Sequence, residues 1–172
     1  MPLCLAPLNA QELVGCAAMK TARTAAPAFS APSSTGATVR LSDYVGKGRH
    51  LVLYFYPGSF TYGCTRETVR FRDAQPELDA LGADLVGVSP DALDTQCKFA
   101  NHYMVRFPIV ADPDRSIASA YQALFPLLSR VQRLTFVIDP DGYIAARFHH
   151  ELLFEKHVDD AIAFMKRVRQ GV

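Results

Sequence analysis

The sequence predicts an α/β fold: a central mixed sheet with helices on both faces, built as one domain behind an N-terminal extension. Three observations carry this expectation. The chain has 172 residues, within the ~100–200 expected of a single domain and long enough to bury a substantial core. Hydrophobic residues make up 49% and charged residues 20%, a balance that excludes a disordered or low-complexity chain. From residue 26 onward, short apolar runs alternate with helical patterns, and a hairpin and a final helix close the series.

Residues 1–25 form the extension and residues 26–172 the folded domain. The extension is rich in Ala and Leu, carries few charges and lacks sustained periodicity, so a flexible tail or one short helix is expected. Leu13-Val14-Gly15-Cys16 has the shape of a bacterial lipoprotein cleavage site. No Lys or Arg precedes it, however, and Asn9, Gln11 and Glu12 interrupt the apolar stretch, so a leader is not expected. Met19 stands as an alternative start.

Thr38-Val39-Arg40-Leu41 alternates as a strand, and Ser42-Asp43 caps one helical turn. Leu51 to Tyr56 is a continuous apolar and aromatic run stopped by Pro57-Gly58, the pattern of a strand buried on both faces. A helix is expected from about Tyr62, with Pro76 allowing a break or a second start near Gln75. Asp84 to Ser89 is the next strand, Asp91 to Met104 a helix, Phe107 to Ala111 a strand and Asp114 to Gln122 a short helix. Leu134 to Ile138 and Tyr143 to Phe148 flank Asp139-Pro140-Asp141-Gly142. Pro presets φ there and Gly tolerates positive φ, so a hairpin is expected. The last helix, His157 to Arg169, aligns Val158, Ile162, Met165 and Val168, and ends on cations that favour the helix dipole.

With 18 Lys+Arg against 17 Asp+Glu the formal net charge is +1. Such a chain exerts no bulk attraction on phosphates or acidic lipid, so neither nucleic-acid nor membrane binding is expected. No apolar run nears the ~18 residues needed to span a bilayer. The four cysteines, Cys4, Cys16, Cys64 and Cys97, are too scattered for a disulfide scaffold and lack the paired spacings of a zinc site. His149-His150 beside Glu151 has no further ligands at suitable spacing and reads as an exposed strand end, so no metal or cofactor is expected. Free thiols fit a reducing, cytoplasmic compartment.

The chemistry concentrates in Leu51 to Glu67, LVLYFYPGSFTYGCTRE, which reads as strand, Pro-Gly turn, then helix. Cys64 falls in the first helical turn, where free backbone N–H groups and the positive dipole end favour a thiolate. The thiolate is the nucleophilic form of cysteine. The same helix start stabilises negative charge developing on an attacked oxygen. Thr61 places a hydroxyl within reach of the sulfur or of a substrate oxygen. On these residues alone, a small buried Cys at a strand–helix junction is the competing reading.

Pro57-x-x-x-Thr61-x-x-Cys64 resembles the active-site motif of the peroxiredoxins, and LVLYFYP resembles the approach to it in their bacterioferritin-comigratory (PrxQ) subgroup of the AhpC/TSA family. Ala26-Pro27-Ala28-Phe29 and Val39-Arg40-Leu41-Ser42-Asp43 look like that family's opening strand pair. Arg66-Glu67 and Phe71-Arg72-Asp73 fit its active-site helix, and Arg133-Leu134-Thr135-Phe136-Val137-Ile138-Asp139-Pro140-Asp141-Gly142 looks like its second signature. The resemblance covers about residues 25–170 in order. It implies a thioredoxin-like fold and a thiol-dependent peroxidase that reduces hydrogen peroxide and organic hydroperoxides through a cysteine sulfenic acid. Cys64 would be the peroxidatic thiolate, Thr61 would bond the peroxide, and Pro57 would shield the pocket. Arg133 would lie over the thiolate and stabilise its charge, with Glu67 orienting the arginine. For Arg133 the competing reading is a surface ion pair. For Glu67 it is a helix-surface pair with Arg66 or Arg70.

Two positions depart from the family pattern. Tyr62 stands where the family commonly has Pro, and either narrows the pocket mouth or donates a hydrogen bond. Val69 holds the place of the subgroup's local resolving cysteine, five residues past Cys64. Cys97 is the candidate for resolving the sulfenic acid from within the chain, although its spacing with Leu93, Ala100 and Met104 also fits an apolar helix stripe. Cys4, Cys16 and an external thiol are the other candidates. The expected partners are a peroxide and a thiol reductant such as thioredoxin, with the chain a monomer or a dimer. Two rival functions stand beside the peroxidase: a thioredoxin-like thiol–disulfide oxidoreductase, and a non-catalytic redox sensor or holdase. Against the first, Thr61 replaces the first Cys of a CxxC and no Pro precedes Thr135.

Overall fold

The computed structural model describes residues 23–171; the expectations for Cys4, Cys16 and the rest of residues 1–22 lie outside the described residues. The strands are β1 (Ser30–Pro32), β2 (Thr38–Arg40), β3 (His50–Phe55), β4 (Ala83–Ser89), β5 (Ile109–Ala111), β6 (Leu134–Ile138) and β7 (Ile144–His149). The helices are α1 (Tyr62–Ala80), α2 (Leu93–His102), α3 (Ser116–Ala120) and α4 (Lys156–Gln170). β1 and β2 form a separate antiparallel pair, and the other strands form one sheet in the order β5-β4-β3-β6-β7. Helical crossovers through α1 and α2 make β3, β4 and β5 parallel, whereas the short turn after β6 makes β6 and β7 antiparallel. β3 also pairs antiparallel with β6, so the sheet is mixed, as expected.

β3 is buried on both faces because it is the middle strand. Leu51, Leu53 and Phe55 enter one core with α3 and the β1–β2 pair. Val52, Tyr54 and Tyr56 enter the other with α1, α2 and α4. Helices therefore cover both faces, unevenly. β7 is one of the two edge strands, and its burial alternates residue by residue. In the turn before it, the Asp139 carboxylate accepts the Asp141 and Tyr143 N–H groups, both at 3.0 Å. Thr24 and Ala26 bond this hairpin through their backbones, so residues 23–25 already lie against the domain.

Of the element boundaries that differ from expectation, four have a clear local reason. α1 runs unbroken through Pro76, which is exposed and is followed by the buried Leu78 that holds the last turn to the core. The opening pair uses Ser30–Pro32 in place of residues 26–29. α2 starts two residues late because the Asp91 carboxylate is spent on Ser59 and Ser89, and Ala92 is extended. α3 starts late because Arg115 is left-handed, with φ 60°, and Asp112 caps the Ile117 and Ala118 N–H groups instead.

Candidate active site

β3 delivers the chain to the centre of the sheet edge, and Pro57–Phe60 turns it into α1. Thr61 is the extended residue before the helix, and its carbonyl accepts the Thr65 N–H at 2.9 Å. Cys64 is the third residue of α1 and is fully buried. Arg133, immediately before β6, reaches across the gap between β6 and α1. Its Nη2 donates to Cys64 Sγ at 3.1 Å and its Nη1 to Glu67 Oε2 at 2.8 Å. Arg133 and Glu67 are both buried, so neither is a surface pair. Arg66 bonds Tyr62 and Glu155 instead, and Arg70 bonds Asp159.

Burial pushes the Glu67 carboxyl up to about 8, against the pull of the adjacent Arg133. Its Oε1 finds no hydrogen-bond partner among the described residues. His157, buried behind it, lies 3.9 Å away, too far for a hydrogen bond. The His157 Nε2 stands 2.9 Å from the His150 carbonyl, which can only accept, so Nε2 carries the proton and Thr135 donates to Nδ1 at 2.9 Å. Burial lowers this histidine to about 4, and it is neutral at pH 7.

The Thr61 hydroxyl donates to the Gly58 carbonyl at 2.9 Å and pins the turn. Pro57 is half-buried and lines a groove with Pro90, Leu128 and Val131. Tyr62 is exposed, and its hydroxyl accepts from Arg66 at 2.9 Å. Cys97 is a free, half-buried thiol whose sulfur lies 4.0 Å from the Ser34 carbonyl on the β1–β2 turn. The stripe expected around it is corrected. Leu93 and Met104 are exposed, and the buried face of α2 is Gln96, Phe99 and Ala100. Helix α2 stops at His102, and Met104 is left-handed with φ 54°, so it falls off the stripe.

Several residues escaped the sequence reading. Glu151 Oε1 accepts the Arg133 backbone N–H at 3.0 Å, and Phe154 lies over the Arg133 guanidinium at 4.7 Å. Gln96 Oε1 accepts from Tyr56 at 2.9 Å and from Ser59 at 3.1 Å, which ties the active-site turn to α2. Phe60 adds to this clasp from a left-handed backbone, φ 61°, with its ring 5.2 Å from Phe99. A glycine placed directly before Cys64 inside a helix was the one available signal, because glycine there marks a close approach.

Residues 22–147 match the AhpC/TSA family. The chain is 33% identical to peroxiredoxin Bcp of Bacillus subtilis, over 82% of this chain and 92% of that one. Its fold matches the crystal structure of peroxidoxin BcpB from Mycobacterium tuberculosis with a TM-score of 0.79 and 33% identity, covering 86% of this chain and 97% of that one. Against peroxiredoxin Q of Xanthomonas campestris the TM-score is 0.74 and the identity 28%, over 80% and 89% of the two chains. The family match runs from before β1 into β7 and takes in both Cys64 and Arg133, so the chain belongs to the AhpC/TSA family as a peroxiredoxin of the Bcp/Q group, a thiol-dependent peroxidase on a thioredoxin-like fold.

Proposed function

We propose that Cys64 is the peroxidatic nucleophile, acting on hydrogen peroxide and organic hydroperoxides, and that Arg133 holds its charge. The observation that carries this reading is the 3.1 Å contact between Arg133 Nη2 and Cys64 Sγ at the start of α1. The Cys64 thiolate attacks the terminal peroxide oxygen, an S–O bond forms and the O–O bond breaks. The sulfur is oxidised to a sulfenic acid, and the leaving alkoxide or hydroxide takes up a proton. Arg133 and the N-terminal N–H groups of α1 stabilise the charge that builds on the oxygens. Thr61 turns its hydroxyl from Gly58 to the bound peroxide, and Pro57 keeps water from the sulfur. Glu67 orients Arg133.

The chain is proposed to act as a monomer or a dimer. Thioredoxin, or another cytoplasmic thiol, returns the enzyme to its reduced state. Cys97 is the proposed internal resolving thiol. Peroxide consumption coupled to thioredoxin, its reductase and NADPH tests the reading. Activity is expected in the intact chain, absent in Cys64→Ser and reduced in Arg133→Ala. Insulin reduction without peroxide turnover would point to a thiol–disulfide oxidoreductase, and peroxide-dependent partner binding without turnover to a sensor or holdase.

A further inference from the structure

The Arg133 guanidinium is a plane. Its edge is matched by Glu67 and Cys64, and the backbone behind it by Glu151. Its faces need separate cover, and the ring of Phe154 covers one of them, with the centroid 4.7 Å from Cζ. Phe154 belongs to the 150–155 segment between β7 and α4. That segment is fastened on both sides of the ring, by Glu151 to the Arg133 backbone and to His149, and by Glu155 to Arg66.

Room for the ring comes from Gly63. A Cβ at that position would lie 2.6 and 2.7 Å from Phe154 Cε1 and Cζ, and 2.9 Å from Arg133 Nη2. The residue next to the nucleophile is therefore the floor on which ring and guanidinium rest together. Away from Arg133, Phe154 meets Tyr62 edge-on at 6.4 Å and joins Leu152 and Leu153 in walling an apolar groove of about 520 Å³.

We propose that Phe154 is a positioning residue for the peroxide reaction: its ring holds the Arg133 guanidinium in plane with Cys64 and Glu67 and keeps water off that face. An aromatic face attracts a cation, and more strongly when the pair is desolvated. A hydrated guanidinium would be screened and free to swing, and both changes weaken the charge directed at the sulfur. Glycine is a poor helix residue, and its presence at position 63 follows from the same packing. The inference rests on the peroxidatic role of Cys64.

The test uses the full chain with Cys4, Cys16 and Cys97 replaced by Ser, so that Cys64 is the one thiol. The readouts are the ultraviolet absorbance of the thiolate across pH and the single-turnover rate of Cys64 oxidation by hydrogen peroxide. Phe154→Ala and Phe154→Leu are expected to lower the thiolate fraction at neutral pH and to slow oxidation about fivefold, while Phe154→Tyr restores both. Gly63→Ala is expected to reproduce the loss, because its Cβ would displace the ring and the guanidinium together. The proposal is overturned if Phe154→Ala leaves both readouts unchanged, or if Leu rescues as well as Tyr, which would reduce the ring to bulk. A parent protein that titrates normally yet consumes no peroxide would sink the peroxidase reading alone, because the titration of the variants still decides the role of Phe154.

Discussion

A carboxyl with no exposed surface loses its hydration, and Glu67 recovers part of it through the 2.8 Å bond from Arg133. Its second oxygen recovers nothing from the described residues. With the carboxyl pushed up to about 8, Glu67 holds its proton through much of the neutral range. A neutral carboxyl still accepts the Arg133 hydrogen bond but leaves the arginine's charge to the sulfur. Linkage turns this into a stability prediction. A folded-state value raised above the unfolded 4.5 stabilises fully below 4.5, and that contribution is lost as pH rises toward 8. The depressed His157 works in the opposite sense, but only below its unfolded 6.5. Between pH 6.5 and 8 the Glu67 effect is therefore left to act, and unfolding free energy is expected to fall by on the order of 1–2 kcal/mol. Denaturant titrations across that window should show the slope in the parent and its absence in Glu67→Gln. Arg133→Lys is expected to slow Cys64 oxidation on the order of 100-fold, because an ammonium cannot span Glu67 and the sulfur as the planar fork does; stopped-flow rates would show it. Cys64, Arg133 and Glu67 could be read from the chain because each sits in a recognisable pattern. Phe154 and Glu151 could not. Their partner is 18 or more residues away in sequence, and no local pattern records which loop covers an arginine.

At the level of elements, α1 shows where local signals mislead. Pro76 lacks the N–H that would bond the Arg72 carbonyl, which is the reason the sequence allows a break or a second start there. The helix instead continues, with Ala74 and Leu78 buried on either side of the proline, so packing outweighs propensity. Since Pro76 itself is exposed, replacing it removes no core contact. Pro76→Ala is expected to raise stability by about 1–2 kcal/mol, the helix-interior penalty of proline less its restriction of the unfolded chain. Chemical unfolding would show the gain, with peroxide turnover unchanged because the site lies at the other end of α1. The strands were more legible than the helix ends. β3, β4 and β6 are buried apolar runs whose meaning does not depend on partners, whereas the starts of α2 and α3 are set by where the Asp91 and Asp112 carboxylates go. Those partners, Ser59 and Ser89 for one and Ile117 and Ala118 for the other, are known only once the chain is folded.

For the molecule as a whole, the question is how a sulfenic acid at Cys64 meets a second sulfur. Cys64 lies on the buried side of the first turn of α1, while Cys97 faces the Ser34 carbonyl on the β1–β2 turn. The residue before Cys97 is Gln96, and its bonds to Tyr56 and Ser59 make α2 part of the wall of the active-site turn. A disulfide needs Cα atoms within roughly 4.4–6.8 Å, and we propose that α2 releases Gln96 and unwinds locally to bring Cys97 to Cys64. Under the proposed resolution by Cys97, forming the disulfide would open the same clasp that ties the active-site turn to α2. Disulfide mapping by mass spectrometry after one equivalent of peroxide is expected to find the Cys64–Cys97 link. Gln96→Ala, which cuts the clasp and leaves both thiols in place, is expected to form that link faster and to show quicker amide exchange in α2. A sulfenic acid that stays trappable at Cys64, with no link in either protein, would assign resolution to an external thiol and leave Cys97 as a packing residue against Ser34.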